Sequence, residues 1–128
     1  MEYVGKRMPI RLLLLLSLGF SSHPAWALSG EQLLQSCSMV AGSTEHKQCE
    51  SYIAGVVDGI NTLVSSMKLL HPGGPEYPKL FCVTHPEPIK DLVDASTEYL
   101  SRNASSRHYD AASEVLLALQ EAFPCAGG

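Results

Sequence analysis

The segment from about residue 45 to residue 68 places the strongest constraint on the fold of this chain. Its apolar residues recur in steps of three, one and three, which keeps them on one stripe of an α-helix. The stripe consists of Cys49, Tyr52, Ile53, Val56, Val57, Ile60, Leu63, Val64 and Met67. No segment alternates apolar and polar residues as strands do. The pattern therefore predicts one long helix and no sheet.

Two shorter helices are predicted from their start signals. Ser29 is a suitable N-cap for a helix of about 30–38, because its hydroxyl can accept a backbone N–H of the first turn. Thr84 and Glu87 stand three residues apart, as a capping box requires. They predict a third helix that runs to about Ser101, with Ile89, Leu92, Val93, Ser96, Tyr99 and Leu100 facing inward.

A fourth helix is predicted near the C-terminus. Asp110 favours its start, since a carboxylate is stabilised at a helix N-terminus, and Pro124 ends it. Its inward-facing residues are Ala112, Val115, Leu116, Leu119, Ala122 and Phe123. The predicted fold class is all-α, a small four-helix bundle in one domain.

Residues 1–27 have the pattern of a cleavable secretory signal peptide. A nine-residue apolar run from Leu12 to Phe20 is followed by the small-x-small sequence Ala25-Trp26-Ala27. The run is too short to cross a bilayer, which takes roughly 20 residues as a helix. No second apolar run is evident, so no membrane anchor is expected. The basic residues ahead of the run are Lys6, Arg7 and Arg11.

The mature part, residues 28–128, is acidic. Removing three basic residues and one acidic residue from the whole-chain totals of 9 and 13 leaves 6 and 12, a net charge of −6. This balance argues against nucleic acid or an anionic membrane as a partner. It permits a basic protein partner, although a soluble surface explains the same charges.

Four cysteines, Cys37, Cys49, Cys82 and Cys125, lie in the mature part. An even number in a small exported domain predicts two disulfides. The alternative, a metal site, lacks C-x-x-C spacing and clustered histidines. Cys37 ends the first predicted helix and Cys49 begins the second, so a short loop brings them together. Cys82 precedes the third helix and Cys125 follows the fourth, which favours a second pair if those helices are antiparallel.

The sequence offers no catalytic set. Paired cysteines leave no thiol, and the mature histidines fall in loops or at helix starts, where they are interpreted as solvated surface residues. These are His46, His71, His85 and His108. We therefore expect no enzyme, no metal and no cofactor; an envelope hydrolase would require a reactive group that the sequence does not supply.

Two features stand out from this background. Gly55 and Gly59 lie four residues apart in the long helix, and the favoured interpretation is the close approach of another helix over them. Asp58 between them is then a candidate for a buried structural role. The second feature is the segment His71-Pro72-Gly73-Gly74-Pro75-Glu76-Tyr77-Pro78, a long loop that prolines stiffen. It is either a functional loop or a plain linker.

Residues 49–59, CESYIAGVVDG, follow the pattern C-x-x-Y-I-x-G-V-x-D-G within the long predicted helix. In this pattern the sequence resembles the Tai/Rap family of type VI secretion immunity proteins. The resemblance runs from about 29 to 125. Its other elements are Ser29-Gly30, Leu33-Leu34 and Cys37 at the start, and Ala118-Leu119 and Ala122-Phe123-Pro124-Cys125 at the end.

This resemblance implies a location and a partner. Members of the family are periplasmic, helical and disulfide-containing, and they often form dimers. They neutralise a peptidoglycan amidase delivered by neighbouring bacteria, blocking its cysteine–histidine cleft with a protruding element. The resemblance thus implies that the His71–Pro78 loop binds the partner, and that Tyr52, Gly55, Asp58 and Gly59 form a structural helix motif.

Two alternatives remain open at this point. The chain could be a periplasmic stress protein or chaperone-like helical protein with the same disulfide build, which would bind unfolded clients after acid-triggered opening. It could also be a relative of the family that has no toxin partner.

Overall fold

The computed structural model describes residues 27–76, 78–83 and 88–126. These ranges form four helices and no strand, which confirms the predicted all-α four-helix fold. Each helix contacts the other three. The signal peptide up to Trp26 and the capping box of Thr84 and Glu87 lie outside the described residues. The helices are α1 (Gly30–Cys37), α2 (Thr44–Leu70), α3 (Ile89–Arg102) and α4 (Ala111–Ala122).

Polar side chains cap three of the four helices. At α1, Ser29 and Gln32 form a reciprocal capping box. At α2, the Ser43 hydroxyl accepts the His46 N–H at 3.1 Å. At α4, Asp110 accepts both the backbone N–H and the hydroxyl of Ser113, each at 2.9 Å. The predicted starts of α1 and α4 are therefore correct, and α2 begins one residue earlier than predicted.

The start of α1 is joined to the turn that precedes α4. The Gly30 N–H donates to the Tyr109 carbonyl at 3.0 Å, and the Ala111 N–H donates to the Leu28 carbonyl at 2.7 Å. A Cβ atom on Gly30 would lie 3.0 Å from Leu100 Cδ2 and 3.2 Å from the Arg107 backbone. Only glycine fits this contact without displacing its neighbours.

Two disulfides join the helices, in the pairing that the order of the helices favoured. Cys37–Cys49 links the end of α1 to α2, with both residues buried. Cys82–Cys125 links the segment before α3 to the residues after α4, with both residues half-buried. Each link closes a connection at a helix end, so together they fix the order in which the helices pack.

The core takes side chains from all four helices. The largest of those with no exposed surface are Leu33, Ile53, Leu100 and Leu119. Two predicted core positions are wrong, because Leu63 is 59% exposed and Ala122 is exposed. Both residues lie on the correct stripe of their helix, but no neighbouring element covers that part of the stripe.

Two polar residues are buried against expectation. His46, interpreted as a solvated surface histidine, is largely buried, and its Nδ1 lies 3.2 Å from the Cys37 carbonyl oxygen at the end of α1. An imidazole that carries a proton on Nδ1 can donate a hydrogen bond to this oxygen, one of the carbonyls left open at that helix end. Glu114 is 1% exposed and accepts the Ser106 hydroxyl at 2.8 Å. His71 and His108 are exposed, as predicted.

Candidate functional site

The two halves of α2 have different environments. At 1.5 Å per residue, the 27 residues of α2 span about 40 Å. Its buried side chains are Cys49, Ile53 and Val57, all in the first 14 residues of the helix. Beyond Val57 no side chain of α2 is fully buried. The helix thus continues past the core that its first half helps to build.

The projecting half of α2 and the described residues that follow it leave apolar side chains uncovered, and this region is here called the distal surface (residues 58–76 and 78–83). Its exposed fractions are 59% for Leu63, 81% for Leu69, 75% for Leu70 and 40% for Leu80. Exposed apolar surface commonly marks an interaction site where it is contiguous, and Leu69 and Leu70 are adjacent in the chain.

By length and composition alone, α2 could also cross a membrane. The sequence was expected to contain no apolar run after residues 12–20 that could cross a membrane, and α2 does not meet that expectation. Core helices of water-soluble proteins pass the same test, so it is weak evidence for a membrane span. In this structure α2 contacts every other helix and is tied to α1 through Cys49, which makes it a member of the bundle.

A tight turn ends α2. The Gly74 N–H donates to the His71 carbonyl at 2.9 Å, and Gly73 has a φ of +84°. Pro72 ahead of a glycine with positive φ matches a type II β-turn, in which Pro and Gly both suit their positions. Residues 71–76 and Pro78 are all exposed. The predicted loop is therefore real, and a hydrogen-bonded turn orders its first four residues.

An open cleft of about 560 Å³ lies between the projecting half of α2 and the segment 79–83. Its lining includes Ile60, Val64 and Phe81, together with Lys68 and Lys79. The segment is held in place from the far side. The Cys82 N–H donates to the Phe123 carbonyl at 2.8 Å, and Cys82 is also linked to Cys125. The cleft therefore has one wall made by a helix and one anchored by a disulfide.

The motif glycines do not have the role predicted from the sequence. A Cβ atom on Gly55 or Gly59 would meet nothing within 4 Å, and both residues are exposed. No helix of the same chain packs over them, so the close-approach interpretation is wrong. They border a shallow groove of about 320 Å³ between α2 and α4, here called the glycine groove. It is lined by Gly55, Val56, Gly59, Ile60, Ala112, Ser113 and Leu116.

The two other motif residues differ in environment. Asp58 is exposed, so its predicted buried role is also wrong. Tyr52 is half-buried against the start of α4. Burial raises the pKa of the Tyr52 hydroxyl above its ordinary value, and the nearby Asp110 carboxylate adds to the rise, while a hydrogen bond with the Ala112 backbone opposes it. Tyr52 therefore joins α2 to α4.

The predicted site residues fall into two separate groups. Tyr52, Gly55 and Gly59 lie on the face of α2 that is turned toward α4, in the middle of the helix, whereas the loop His71–Pro78 follows its far end. Tyr77 lies outside the described residues. Of the exposed leucines, only Leu63 was predicted on the apolar stripe, whereas Leu69, Leu70 and Leu80 follow the predicted end of the helix at about residue 68; α2 in fact continues to Leu70. The two cleft lysines were not singled out from the sequence.

The described part of α3 and α4 carries a solvated charged face. Arg102 contacts Glu121 at 2.5 Å and Glu98 at 3.7 Å, and Lys90 pairs with Asp94. These charges neutralise one another at the surface and are exposed. Within the described ranges no three His, Cys, Asp or Glu side chains are grouped as a metal site would require.

The fold and the distal surface define a class of protein: a small disulfide-stapled helical bundle with exposed apolar side chains beside a hydrogen-bonded turn. A comparison with protein-family models matches residues 29–125 to the Rap1a immunity proteins. The chain belongs to this family, which confirms the resemblance found in the α2 motif. The comparisons with curated proteins and with solved structures found no match.

Proposed function

We propose that this protein is a periplasmic immunity protein that binds a peptidoglycan amidase effector of type VI secretion and occludes its active-site cleft. Membership of the Rap1a immunity family supports the general role. The observation that carries the proposal is the distal surface, where Leu69 and Leu70 are exposed directly before the His71–Gly74 turn. The protein acts by steric occlusion and performs no chemistry of its own.

The distal surface suits a plug better than any other described part of the chain. The turn is held by a hydrogen bond and by Pro72, so little conformational entropy is lost when a partner orders it. The leucines beside it supply the apolar centre that a tight interface needs. A standard interface of roughly 1,600 Å² would extend from the turn onto the projecting half of α2.

The location follows from the target. An amidase that cuts the cell wall acts outside the cytoplasmic membrane, so its inhibitor must be exported. The signal-like residues 1–27 and the two disulfides support export into an oxidising compartment. Mass analysis of the protein from the periplasmic fraction should show a chain that begins at Leu28; a full-length chain in the cytoplasm would contradict this part.

Inhibition of a purified amidase tests the function directly. The full chain is expressed and exported, and the mature protein is purified in oxidised form. It is mixed with each type VI amidase encoded by the strain that carries this gene, and release of cell-wall fragments is measured. We expect stoichiometric inhibition of one amidase. Failure to inhibit any of them, with binding to many unfolded proteins at low pH instead, would favour the stress-protein alternative.

A homodimer is the second part of the proposal, and the glycine groove is its proposed contact. Val56, Ile60 and Leu116 leave apolar surface open there, and the two glycines permit a second helix to approach closely. Sedimentation velocity should show a dimer for the wild type and a monomer for Leu116→Glu. A wild-type monomer at micromolar concentration would remove the dimer without affecting the distal surface.

A further inference from the structure

The cleft beside the distal turn has an unusual charge for this chain. Residues 59–83 contain two lysines and a single acidic residue, Glu76, whereas the mature chain as a whole carries a net charge of −6. Lys68 and Lys79 both line the cleft, and no acidic side chain is among the described residues that line it. The described wall of this cleft therefore carries positive charge on an acidic protein.

Neither lysine has an ion-pair partner within the described ranges. The ion pairs found there involve Lys90, Arg102, Arg107 and His46, all outside the cleft. Asp58, the nearest acidic residue of α2 in sequence, lies on an adjacent face of the helix, where it lines a separate shallow depression. Within the part of the chain that the structure describes, neither ammonium group is paired with a carboxylate.

The lining of the cleft mixes apolar and polar residues. Ile60, Val64 and Phe81 supply apolar surface, and Asn61 and Ser65 lie beside them. A partner that covers this apolar surface removes water from the lysines at the same time. Burying an unpaired ammonium group is strongly unfavourable, whereas a carboxylate placed beside it offsets most of that cost. The chemistry of the cleft therefore selects its occupant.

We infer that the cleft is a second contact with the amidase effector, and that it receives an apolar ridge of that enzyme flanked by Asp or Glu side chains. This inference rests on the proposed function. The turn blocks the catalytic cleft of the enzyme, while the lysine-flanked cleft selects which amidase is bound. A cognate amidase has carboxylates that face Lys68 and Lys79, and an amidase without them is rejected because the lysines would be buried without partners.

Charge reversal tests the inference, with a control of equal charge. Lys68→Glu/Lys79→Glu should weaken binding of the inhibited amidase at least about 30-fold. Lys47→Glu/Lys90→Glu changes the net charge by the same amount on exposed sites away from the cleft, and should leave the dissociation constant within about threefold. Circular dichroism should show the same helix content in both variants, since all four side chains are at the surface.

Zero-length crosslinking with a carbodiimide locates the contact. In the wild-type complex, Lys68 or Lys79 should be joined to an Asp or Glu of the amidase. Crosslinks only to Lys47 or Lys90, or equal binding by the two double variants, would overturn the inference while leaving the immunity function intact. If the wild-type protein bound no amidase, both the inference and the proposed immunity function would be overturned. Lysine-dependent sedimentation with phosphatidylglycerol vesicles would also overturn it, since the cleft would then be a membrane contact.

Discussion

The two halves of α2 share one apolar stripe and differ in what covers it. From Thr44 to Val57 the helix is covered by α1, α3 and α4 and is linked to α1 by a disulfide. From Asp58 to Leu70 the stripe continues, but its side chains are at most half-buried. The first half of α2 packs in the core and stabilises the fold, whereas the second half projects beyond the fully buried core residues. The difference shows that a periodic apolar pattern predicts a helix and its face, without predicting whether that face is covered.

The sharpest test of this comparison is the loss of one large side chain from each half. Ile53→Ala should lower the free energy of unfolding by about 2–5 kcal/mol, because Ile53 has no exposed surface and its removal leaves a cavity. Leu63→Ala should change it by less than about 0.5 kcal/mol, because Leu63 is 59% exposed. Urea denaturation of both variants measures the difference. Equal losses would mean that the second half is also part of the core.

Binding should show the opposite dependence. Leu69→Asp/Leu70→Asp should weaken amidase binding about 100-fold, or about 3 kcal/mol, because two exposed apolar side chains would carry charge into the interface. The free energy of unfolding should fall by at most about 1–2 kcal/mol, because neither side chain contributes to the core but two carboxylates at the C-terminal end of α2 oppose the helix dipole. Met39→Asp/Val40→Asp places the same change on exposed residues of the α1–α2 loop and serves as the control. Equal weakening by both pairs would place the interface elsewhere.

Two glycines provide a smaller test of the contrast between covered and uncovered parts of the molecule, because Gly30 is in close contact with its neighbours and Gly59 faces open space. Gly30→Ala should destabilise the fold by about 1–3 kcal/mol, because its Cβ would press on Leu100 and the Arg107 backbone. Gly59→Ala should instead stabilise it by about 0.5–1 kcal/mol, because alanine favours the helix and meets open space there. Thermal unfolding of the monomer at low concentration measures both. Destabilisation by Gly59→Ala would indicate a close contact at the groove.

The smallest expected effect concerns Asp110, at the end of α4 that Tyr52 contacts. Hydrogen bonds from Ser113 lower the pKa of Asp110 in the folded state. A lowered folded-state pKa contributes stability above the unfolded value of about 3.9, and this stability is lost as the pH falls through the folded value. Asp110→Asn keeps the cap but removes the charge, so it should cost about 0.3–1 kcal/mol at pH 7. The cost should disappear in acid, when unfolding is followed against pH; a constant difference would contradict the assigned cause.

Much of the fold could be predicted from the sequence, because the relevant signals are local. Ser29 and Asp110 act as caps through hydrogen bonds that span three residues. Cys37 and Cys49 are neighbours because a short loop joins their helices, and Pro72 and Gly73 form a turn because each suits one position of it. These features depend on chain connectivity and backbone preference, which the sequence contains.

The site was predicted only in part. The loop at His71–Pro78 was recognised by its composition, but Leu63 was assigned to the face that packs in the core, and the helix was predicted to end before Leu69 and Leu70. His46 and Glu114 were taken as surface positions or passed over, although the packing of α1, α2 and α4 buries them. Their burial depends on which neighbours complete a hydrogen bond, and those neighbours belong to other elements of the fold.

The sequence by itself determined the four helices, the caps Ser29 and Asp110, the favoured disulfide pairing and the family. Tertiary structure alone decided which surfaces stay open: the projecting half of α2, the lysine-lined cleft and the glycine groove. The physical reason is that periodicity specifies the direction in which a side chain points, whereas burial requires a second element at that distance. In this protein Val57 is the last fully buried residue of α2, although the apolar stripe continues to Met67.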